Sequence, residues 1–183
     1  MREPGELAVL YVCTANICRS PFMELWSRHA AGPDSPLRFA SAGTQGYRGS
    51  PMADEMRPAL AELGVDADTF RSRRVTAAML DEADLVLTAE RSHRTFLLDD
   101  HPTAFRKVLT LGQAAAAATQ VDPEARGRDA VVELSRARAT ADPAEDVDDP
   151  YRRGPEAAAR CAATVTSMLS TLLPVLDPTL RER

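Results

Sequence analysis

Cys13 and Arg19 lie six residues apart in the segment 9–21, and their types and spacing suit chemistry on an anion. Cys13 follows a short apolar run, and Ser20 and Pro21 are residue types that open helices. The backbone N–H groups and dipole at a helix N-terminus attract anions, and the same field stabilises a thiolate. Arg19 can offer two N–H groups to one phosphoryl group. The segment therefore predicts a phosphate-binding loop with Cys13 as nucleophile.

The full order of residues in this loop is more specific than the pair alone. The run Cys13-Thr14-Ala15-Asn16-Ile17-Cys18-Arg19-Ser20-Pro21 closely resembles Cys-x-Gly-Asn-x-Cys-Arg-Ser-Pro, the signature of the low-molecular-weight protein tyrosine phosphatases. The resemblance implies catalytic roles for Cys13 and Arg19, and a phosphate-binding loop formed by Thr14, Ala15, Asn16, Ile17, Cys18 and Ser20. The chain departs from the signature at Ala15, and alanine tolerates a positive φ poorly, which bears on the loop geometry.

An acidic segment near the C-terminus provides the second group of candidate residues. Asp149-Pro150-Tyr151 resembles the family's Asp-Pro-Tyr motif, whose aspartate is the general acid, and Asp148 is the alternative if the register differs by one. The implied reaction is attack of Cys13 on phosphorus to form a phosphocysteine. Asp149 would protonate the leaving oxygen and then act as base for the hydrolytic water.

Two tyrosines are candidates for the walls of a substrate cleft. The segment 41–44, Ser-Ala-Gly-Thr, resembles a second family segment that is followed by a cleft aromatic, and Tyr47 falls at about that place. Tyr151 is the other candidate, and an aryl ring could pack between the two. An ordinary exposed role for Tyr47 stays open. By resemblance, Ile17 goes with phosphotyrosine rather than phosphoarginine, so the expected partner is a phosphotyrosine protein or a small aryl phosphate.

Several further positions follow from the resemblance. Phe70 stands where the family commonly has a histidine that supports a hydrogen-bond network, and Glu90 replaces the aspartate of an Asp-Arg-x-His segment. His93 is expected to have a structural or solvent-exposed role. Asn16 is expected to fix the loop by bonding to the backbone. Cys18 either traps an oxidised Cys13 as a disulfide or packs as a resting thiol beneath the loop.

Composition bounds the class of protein. The chain has 183 residues, 44% of them apolar, and a net charge of −5, which predicts one globular domain over 1–183 and argues against nucleic acid as a partner. No apolar run approaches the roughly 18 residues of a membrane span. Three cysteines without zinc spacing predict thiol chemistry, with no metal and no cofactor. We expect a cytoplasmic monomer or weak dimer with no membrane partner.

The apolar runs and helical patterns alternate along the chain. Strands are predicted at about 7–12, 37–42, 84–89 and 106–111, with helices at 20–31, 52–63, 92–98 and 155–176. This alternation predicts an α/β three-layer sandwich with a four-stranded parallel sheet, for which the resemblance implies the flavodoxin-like order 2-1-3-4. Residues 112–147 are expected to form a helical insertion near the cleft, before the acidic loop. It is either a solvated segment or an element that docks a partner or covers substrate.

Further functions are compatible with the same residues. An arsenate reductase can share the loop and the fold, but it needs a relay of thiols, and only Cys18 and Cys161 accompany Cys13. A small-molecule phosphatase would use the same nucleophile and phosphate loop. A non-catalytic protein that only binds phosphate would also need this loop.

Overall fold

The sheet consists of four parallel strands, each of which begins and ends within two residues of its predicted bounds. The computed structural model describes residues 5–182. The strands are β1 (Leu7–Cys13), β2 (Leu37–Gly43), β3 (Leu85–Thr88) and β4 (Val108–Thr110), arranged in the order β2-β1-β3-β4. The predicted strand order is confirmed.

Helices cover both faces of the sheet. They are α1 (Arg19–Ala31), α2 (Arg57–Glu62), α3 (Ala77–Glu82), α4 (Arg91–Asp100), α5 (Leu111–Ala118), α6 (Gly127–Ala137) and α7 (Pro155–Leu176). Short 3₁₀ segments lie at Pro102–Arg106, Pro143–Glu145 and Pro178–Glu182.

The alternation of side chains along β1 divides the core into two layers. Val9 and Tyr11 belong to a cluster with residues of α1, α2, α5, α6 and α7, whereas Leu10 and Val12 belong to a second cluster with Leu80 of α3 and Leu97 of α4. Successive side chains of a strand point to opposite faces, so an almost wholly apolar β1 is buried on both sides. The three-layer sandwich is therefore confirmed.

The helix predicted over 52–63 is shorter than expected. Only α2 is helical, because the preceding residues pack against the Cys13 loop, where the backbone N–H of Ala53 donates to the Ile17 carbonyl at 2.8 Å. Pro58 lies in the first turn of α2, where its missing N–H costs nothing. The helical spacing of four apolar residues in this segment predicts that all of them lie in the core: Met52, Met56, Leu60 and Leu63. The first three are buried, whereas Leu63 is 40% exposed.

The helices α3 and α4 differ in part from the sequence prediction. The short α3 was not predicted, and its N-cap is Thr76, whose side chain accepts a hydrogen bond from the Met79 N–H. The apolar residues of the segment 92–98 predict that Phe96 and Leu97 both face inward. In α4, Leu97 is buried, whereas Phe96 is 38% exposed.

Helices α5 and α6 fill the region predicted to be an insertion. Ala130 and Leu134 of α6 are fully buried, which gives this charged helix an apolar inner face. Arg128, at the start of α6, lies 3.0 Å from Asp84, the residue before β3. Asp84 lies at the amino end of β3, and Cys13 lies at the carboxyl end of the parallel strand β1. The start of α6 is therefore at the opposite end of the strands from Cys13. Within the segment 112–147, α6 packs its inner face into the core away from the cleft, whereas the last residue of the segment reaches the Cys13 loop, where the Val147 carbonyl accepts from Arg19 at 3.0 Å.

Helix α7 has the predicted bounds. Cys161 shares the helical spacing of the apolar residues of α7, which predicts that it packs in the core, and it is buried. Among residues 5–182 it is the one helix with the length and apolar character to cross a membrane. In the fold it packs against α1 and α5, with Leu169 and Leu172 fully buried, as expected of a core helix.

Candidate active site

The Cys13 loop leaves the carboxyl end of β1, in the middle of the sheet. Cys13 is paired with Gly43 at the end of β2, and the N–H of Thr44 donates to the Cys13 carbonyl at 2.9 Å. A Cβ on Gly43 would lie 2.6 Å from the Thr14 carbonyl oxygen and 2.9 Å from the Asn16 nitrogen. Glycine at position 43 therefore lets the loop lie directly against β2.

Asn16, rather than Ala15, carries the left-handed backbone conformation of the loop. Its φ is 56°, and Ala15 is not among the described residues with a positive φ. The Asn16 Oδ1 accepts from the Arg73 backbone N–H at 2.9 Å, and its Nδ2 donates to the hydroxyls of Ser20 and Ser41. Asparagine tolerates this conformation, so the alanine at position 15 imposes no backbone strain on the loop.

Ser20 acts at the thiol rather than at the helix end. The sequence suggests Ser20 as the N-cap of α1, but the helix begins at Arg19, and Cys18 occupies the cap position without a side-chain bond. The Ser20 hydroxyl instead lies 3.0 Å from the Cys13 Sγ. Because it accepts from the Asn16 amide, its own hydrogen is available for the sulfur or for the Ala42 carbonyl at 3.3 Å.

The buried network behind the loop is built without a histidine. Phe70 is buried and has no side-chain donor or acceptor, and the hydrogen bonds behind the loop are made by amide, hydroxyl and carboxylate groups. The Ser41 hydroxyl accepts from Asn16 and donates to Glu24 Oε2 at 2.6 Å. Glu24 is also paired with Arg28. The Asn16 side chain is therefore linked through Ser41 to Glu24 of α1.

Arg19 is almost fully buried, with 2% exposure. Its Nη1 donates to Glu90 and to the Val147 carbonyl, which fixes the guanidinium in place. Burial alone would lower the pKa of Arg19, but Cys13, Asp149 and Glu90 outweigh it and raise the pKa above its ordinary value. The Nε of Arg19 is one of two buried side-chain polar atoms without a hydrogen-bond partner among residues 5–182. A charged donor beside Cys13 is therefore available to an anion.

Glu90 and His93 belong to the site, although the sequence assigned them no role in it. The His93 Nε2 lies 2.8 Å from the Thr14 hydroxyl, which also accepts from Arg19 at 3.4 Å. Burial and the Arg19 charge lower the pKa of His93 to about 4, so the ring is neutral at pH 7. Although burial works in the opposite direction, the hydrogen bond and charge of Arg19 lower the pKa of Glu90.

The spacing of Glu90 and His93 is the signal that could have revealed them. They lie three residues apart, directly after β3, and the carboxyl end of β3 is next to that of β1. Side chains at that spacing share one face at the start of a helix. His93 was expected to be structural or exposed. It is buried at 4% exposure and holds Thr14 of the loop.

A cleft of about 190 Å³ opens above the loop. Asp149 lines this cleft and places its Oδ2 3.2 Å from the Arg19 Nη2, whereas the alternative Asp148 does not line it. Tyr47 and Tyr151 also line the cleft and are 64% and 42% exposed. The remaining lining residues are loop positions named from the sequence: Cys13, Thr14, Ala15, Ile17, Cys18 and Arg19.

The other two cysteines, Cys18 and Cys161, are both buried. Burial is the main cause that raises the pKa of Cys18 well above its ordinary value, and burial likewise raises the pKa of Cys161 to about 12. Both are therefore thiols at neutral pH. Within residues 5–182, His, Cys, Asp and Glu side chains form no group of three or more that could hold a metal ion.

The nucleophilic sulfur lies in a tight loop at the carboxyl ends of parallel strands, and a buried arginine and a carboxylate share its cleft. These features together define a class of enzyme. It is the class of cysteine-dependent phosphatases. Comparison with known proteins gives the family. A model of the low molecular weight phosphotyrosine protein phosphatase family matches residues 8–130, which is about two thirds of the chain. The chain belongs to this family, and the resemblance predicted from the loop is confirmed.

Individual relatives agree with this assignment. The probable low molecular weight protein-tyrosine-phosphatase AmsI of Erwinia amylovora is 33% identical over 124 residues, which cover 67% of this chain and 83% of AmsI. The chain is similar to a solved low molecular weight protein tyrosine phosphatase from T. tengcongensis, with a TM-score of 0.75, 25% identity and coverage of 93% and 100%. The YwlE arginine phosphatase from Geobacillus stearothermophilus has the same fold, with a TM-score of 0.76, 22% identity and 97% coverage of both chains.

Proposed function

We propose that this phosphatase hydrolyses phosphotyrosine-type monoesters, with Cys13 as nucleophile, Arg19 as phosphate ligand and Asp149 as general acid. The observation that carries the proposal is their meeting in one cleft, where the Arg19 guanidinium is buried, held by Glu90 and still has an unpaired Nε. A buried charged donor without a partner is costly unless a ligand satisfies it.

The first chemical step transfers the phosphoryl group to sulfur. The Cys13 Sγ forms a bond to phosphorus while the bond from phosphorus to the leaving oxygen breaks, and Asp149 gives its proton to that oxygen. The backbone N–H groups of the loop and Arg19 stabilise the charge on the phosphoryl oxygens. The Ser20 hydroxyl, 3.0 Å from the sulfur, stabilises the thiolate that attacks.

The second step releases phosphate. Asp149 takes a proton from water, the water oxygen bonds to phosphorus, and the bond from sulfur to phosphorus breaks. Cys13 leaves as a thiolate, which the Ser20 hydroxyl again stabilises by a charge-assisted hydrogen bond. Asp149 and Cys13 line the same cleft. This arrangement is required, because the same carboxyl group acts as the acid in the first step and as the base in the second.

An aryl ester is the substrate type that the cleft walls favour. Tyr47 and Tyr151 border the cleft and can pack against a flat ring, and Ile17 adds a branched aliphatic surface. The family relatives named as protein tyrosine phosphatases support phosphotyrosine in a protein as the natural substrate class. A monomeric or weakly dimeric state and a cytoplasmic location remain predictions.

Turnover of p-nitrophenyl phosphate by the reduced protein tests the proposal, with Cys13→Ser and Asp149→Ala run alongside. Activity should vanish in the first variant and fall at least about a hundredfold in the second, which is the usual effect of losing a general acid. Asp148→Ala is the matched control and should retain activity, since Asp148 does not line the cleft. Phosphoarginine hydrolysis at a rate comparable to that of aryl phosphate would contradict the substrate assignment, and activity in Cys13→Ser would contradict the mechanism.

A further inference from the structure

A second groove lies at the amino ends of the strands, whereas the catalytic cleft lies at their carboxyl ends. Its volume is about 500 Å³, within the range of sites that bind organic ligands. Two of its lining residues, Asp84 and Lys107, directly precede β3 and β4, whereas Cys13 ends β1 of the same parallel sheet. The α6 helix forms the other wall. This groove is therefore separate from the catalytic cleft.

The charge of this groove is opposite to that of the chain. The whole protein has 22 cationic and 27 acidic side chains. The groove lining has one carboxylate, Asp84, which is paired with Arg128 at 3.0 Å. The cationic lining residues, which define the basic groove, are Arg106, Lys107, Arg128, Arg136 and Arg138. An excess of cations at one place in an acidic protein indicates a local site for an anion.

Most of these cations have no carboxylate partner. Arg106 and Arg136 are exposed, and neither makes a side-chain hydrogen bond or ion pair within the described part of the chain. The Lys107 ammonium donates to the backbone carbonyls of Leu80 at 2.7 Å and Ala83 at 3.0 Å, which fix its position without neutralising its charge. The basic groove therefore contains two exposed arginines without a protein partner and one lysine that is held by backbone carbonyls.

Two guanidiniums meet at one exposed aromatic ring. Arg138 lies 4.0 Å and Arg94 5.2 Å from the ring centroid of Phe105, which is 49% exposed. Burial and the Arg138 charge lower the pKa of Arg94, and burial lowers the pKa of Arg138. The two cations repel each other, and a carboxylate placed between them would relieve that repulsion.

The basic groove also has an apolar surface. Val131 and Val132 of α6 line it beside Phe105, and Val132 is 46% exposed although it lies on a helix with a buried inner face. Cationic groups around an apolar strip are complementary to a segment that carries both carboxylates and an apolar side chain. Nucleic acid is a poorer match, because the guanidiniums of Arg94 and Arg138 already lie over the Phe105 ring on which a base would have to stack.

We propose that the basic groove docks an acidic peptide segment of a partner protein, its carboxylates paired with Arg106, Arg136 and Arg138 and an apolar side chain against Val132 and Phe105. The docking site is on the far side of the sheet from Cys13, so it binds independently of the chemistry in the cleft. It gives the acidic phosphatase a means of recognising a protein by features other than its phosphate.

The experiment is a fluorescence-anisotropy titration of the full chain against a fluorescein-labelled peptide that alternates glutamate and leucine. Wild type should bind saturably, and binding should weaken as salt is raised. Arg106→Glu/Arg136→Glu should weaken it at least about tenfold, since two attractive contacts become repulsive. The matched control, Arg74→Glu/Arg160→Glu, changes the net charge equally at two exposed arginines outside the groove and should change the affinity less than about twofold.

A further variant and a changed peptide test the apolar contact. Val132→Asp should weaken binding more than Leu63→Asp, which alters a similarly exposed apolar side chain outside the groove. A peptide with serine in place of leucine should bind more weakly than the original. Circular dichroism and p-nitrophenyl phosphate turnover should be the same in every variant and in wild type, which shows that the fold and the cleft are intact.

Three outcomes would overturn the proposal. The first is an absence of saturable peptide binding by wild type. The second is equal weakening by the two arginine pairs, which would show that only the net charge matters. The third is displacement of the peptide by oligothymidylate or inorganic phosphate at concentrations as low as those of the unlabelled peptide, which would assign the basic groove to a different anion.

Discussion

The Oδ2 of Asp149 lies 3.2 Å from the Nη2 of Arg19. These two residues are the proposed general acid and the proposed phosphate ligand, and they are ion-paired in this structure. Arg19 is 2% exposed while the Asp149 side chain is 43% exposed, so the carboxylate is the partner that can move. An incoming phosphate therefore competes with Asp149 for the same guanidinium.

This competition predicts that Asp149→Asn binds inorganic phosphate more tightly while it turns over substrate more slowly. Removing the negative charge leaves Arg19 free for the anion, and a partly exposed ion pair contributes up to about 1 kcal/mol, or roughly fivefold in affinity. Competitive inhibition of p-nitrophenyl phosphate hydrolysis measures the affinity. Asp148→Asn is the control, since Asp148 does not line the cleft. Equal tightening in both variants would mean that the total charge, and not the contact with Arg19, sets phosphate affinity.

Ser20→Ala should slow breakdown of the phosphocysteine more than its formation. The variant loses the hydrogen bond to the Cys13 sulfur and leaves the Asn16 amide without one of its acceptors. A lost hydrogen bond to a charged group is worth about 1.5–3 kcal/mol, which corresponds to a drop of roughly ten- to a hundredfold in kcat. Rapid-quench kinetics should show a larger burst of p-nitrophenol before the slow steady state. A fall in kcat with no change in burst amplitude would argue against a role in thiolate release.

The low pKa of His93 predicts a loss of stability as the pH falls. The folded-state pKa is about 4 and the ordinary value is 6.5, so between these values the unfolded chain binds a proton that the folded chain does not. Stability therefore falls from pH 6.5 towards pH 4, by up to about 3 kcal/mol at the lower end.

Urea denaturation of wild type and His93→Gln at several pH values measures this contribution. The difference in unfolding free energy between the two proteins should shrink as the pH falls from 6.5 to 5. This range is chosen because Glu90, whose pKa is lowered by Arg19, loses its contribution only at lower pH. Exposed His29 provides the control variant, His29→Gln. A pH-independent difference for His93→Gln would show that the histidine is not kept neutral by burial.

Oxidation of Cys13 by peroxide tests the role of Cys18. Peroxide converts the Cys13 thiolate to a sulfenic acid, and condensation with the Cys18 thiol would give a disulfide and water. Activity lost to peroxide should then be restored by added thiol in wild type and in Cys161→Ser. Cys18→Ser should recover much less, because its sulfenic acid can be oxidised further to sulfinic acid. Equal recovery in Cys18→Ser would show that Cys18 is only a packed thiol.

The sequence predicts those parts of the fold and site that depend on neighbouring residues. The bounds of α7 follow from its apolar periodicity, because one side of the helix is buried. The strands follow from continuous apolar runs, because both faces of the parallel sheet are buried. The loop from Cys13 to Ser20 is contiguous, so its residue order alone indicated an anion site with a nucleophile.

Tertiary packing decided which residue of the loop bears the unusual backbone and which hydroxyl meets the sulfur. Ala15 was expected to alter the loop, yet the positive φ falls on Asn16, whose amide is held by Ser20, Ser41 and the Arg73 backbone. Ser20 contacts Cys13 and does not cap α1. A local pattern cannot predict these choices, because they depend on residues of β2 and of the segment after α2 that arrive from elsewhere in the chain.

The remaining features depend on residues that are distant along the chain and adjacent in space. The sequence by itself determined a family, a parallel sheet and the identity of Cys13, Arg19 and Asp149 as candidates. Only the fold brought His93 to Thr14, paired Asp149 with Arg19 and collected the cations of the basic groove around Phe105. The physical reason is that sequence patterns record burial along one element, whereas charge pairing and ring contacts are set by the distances between elements.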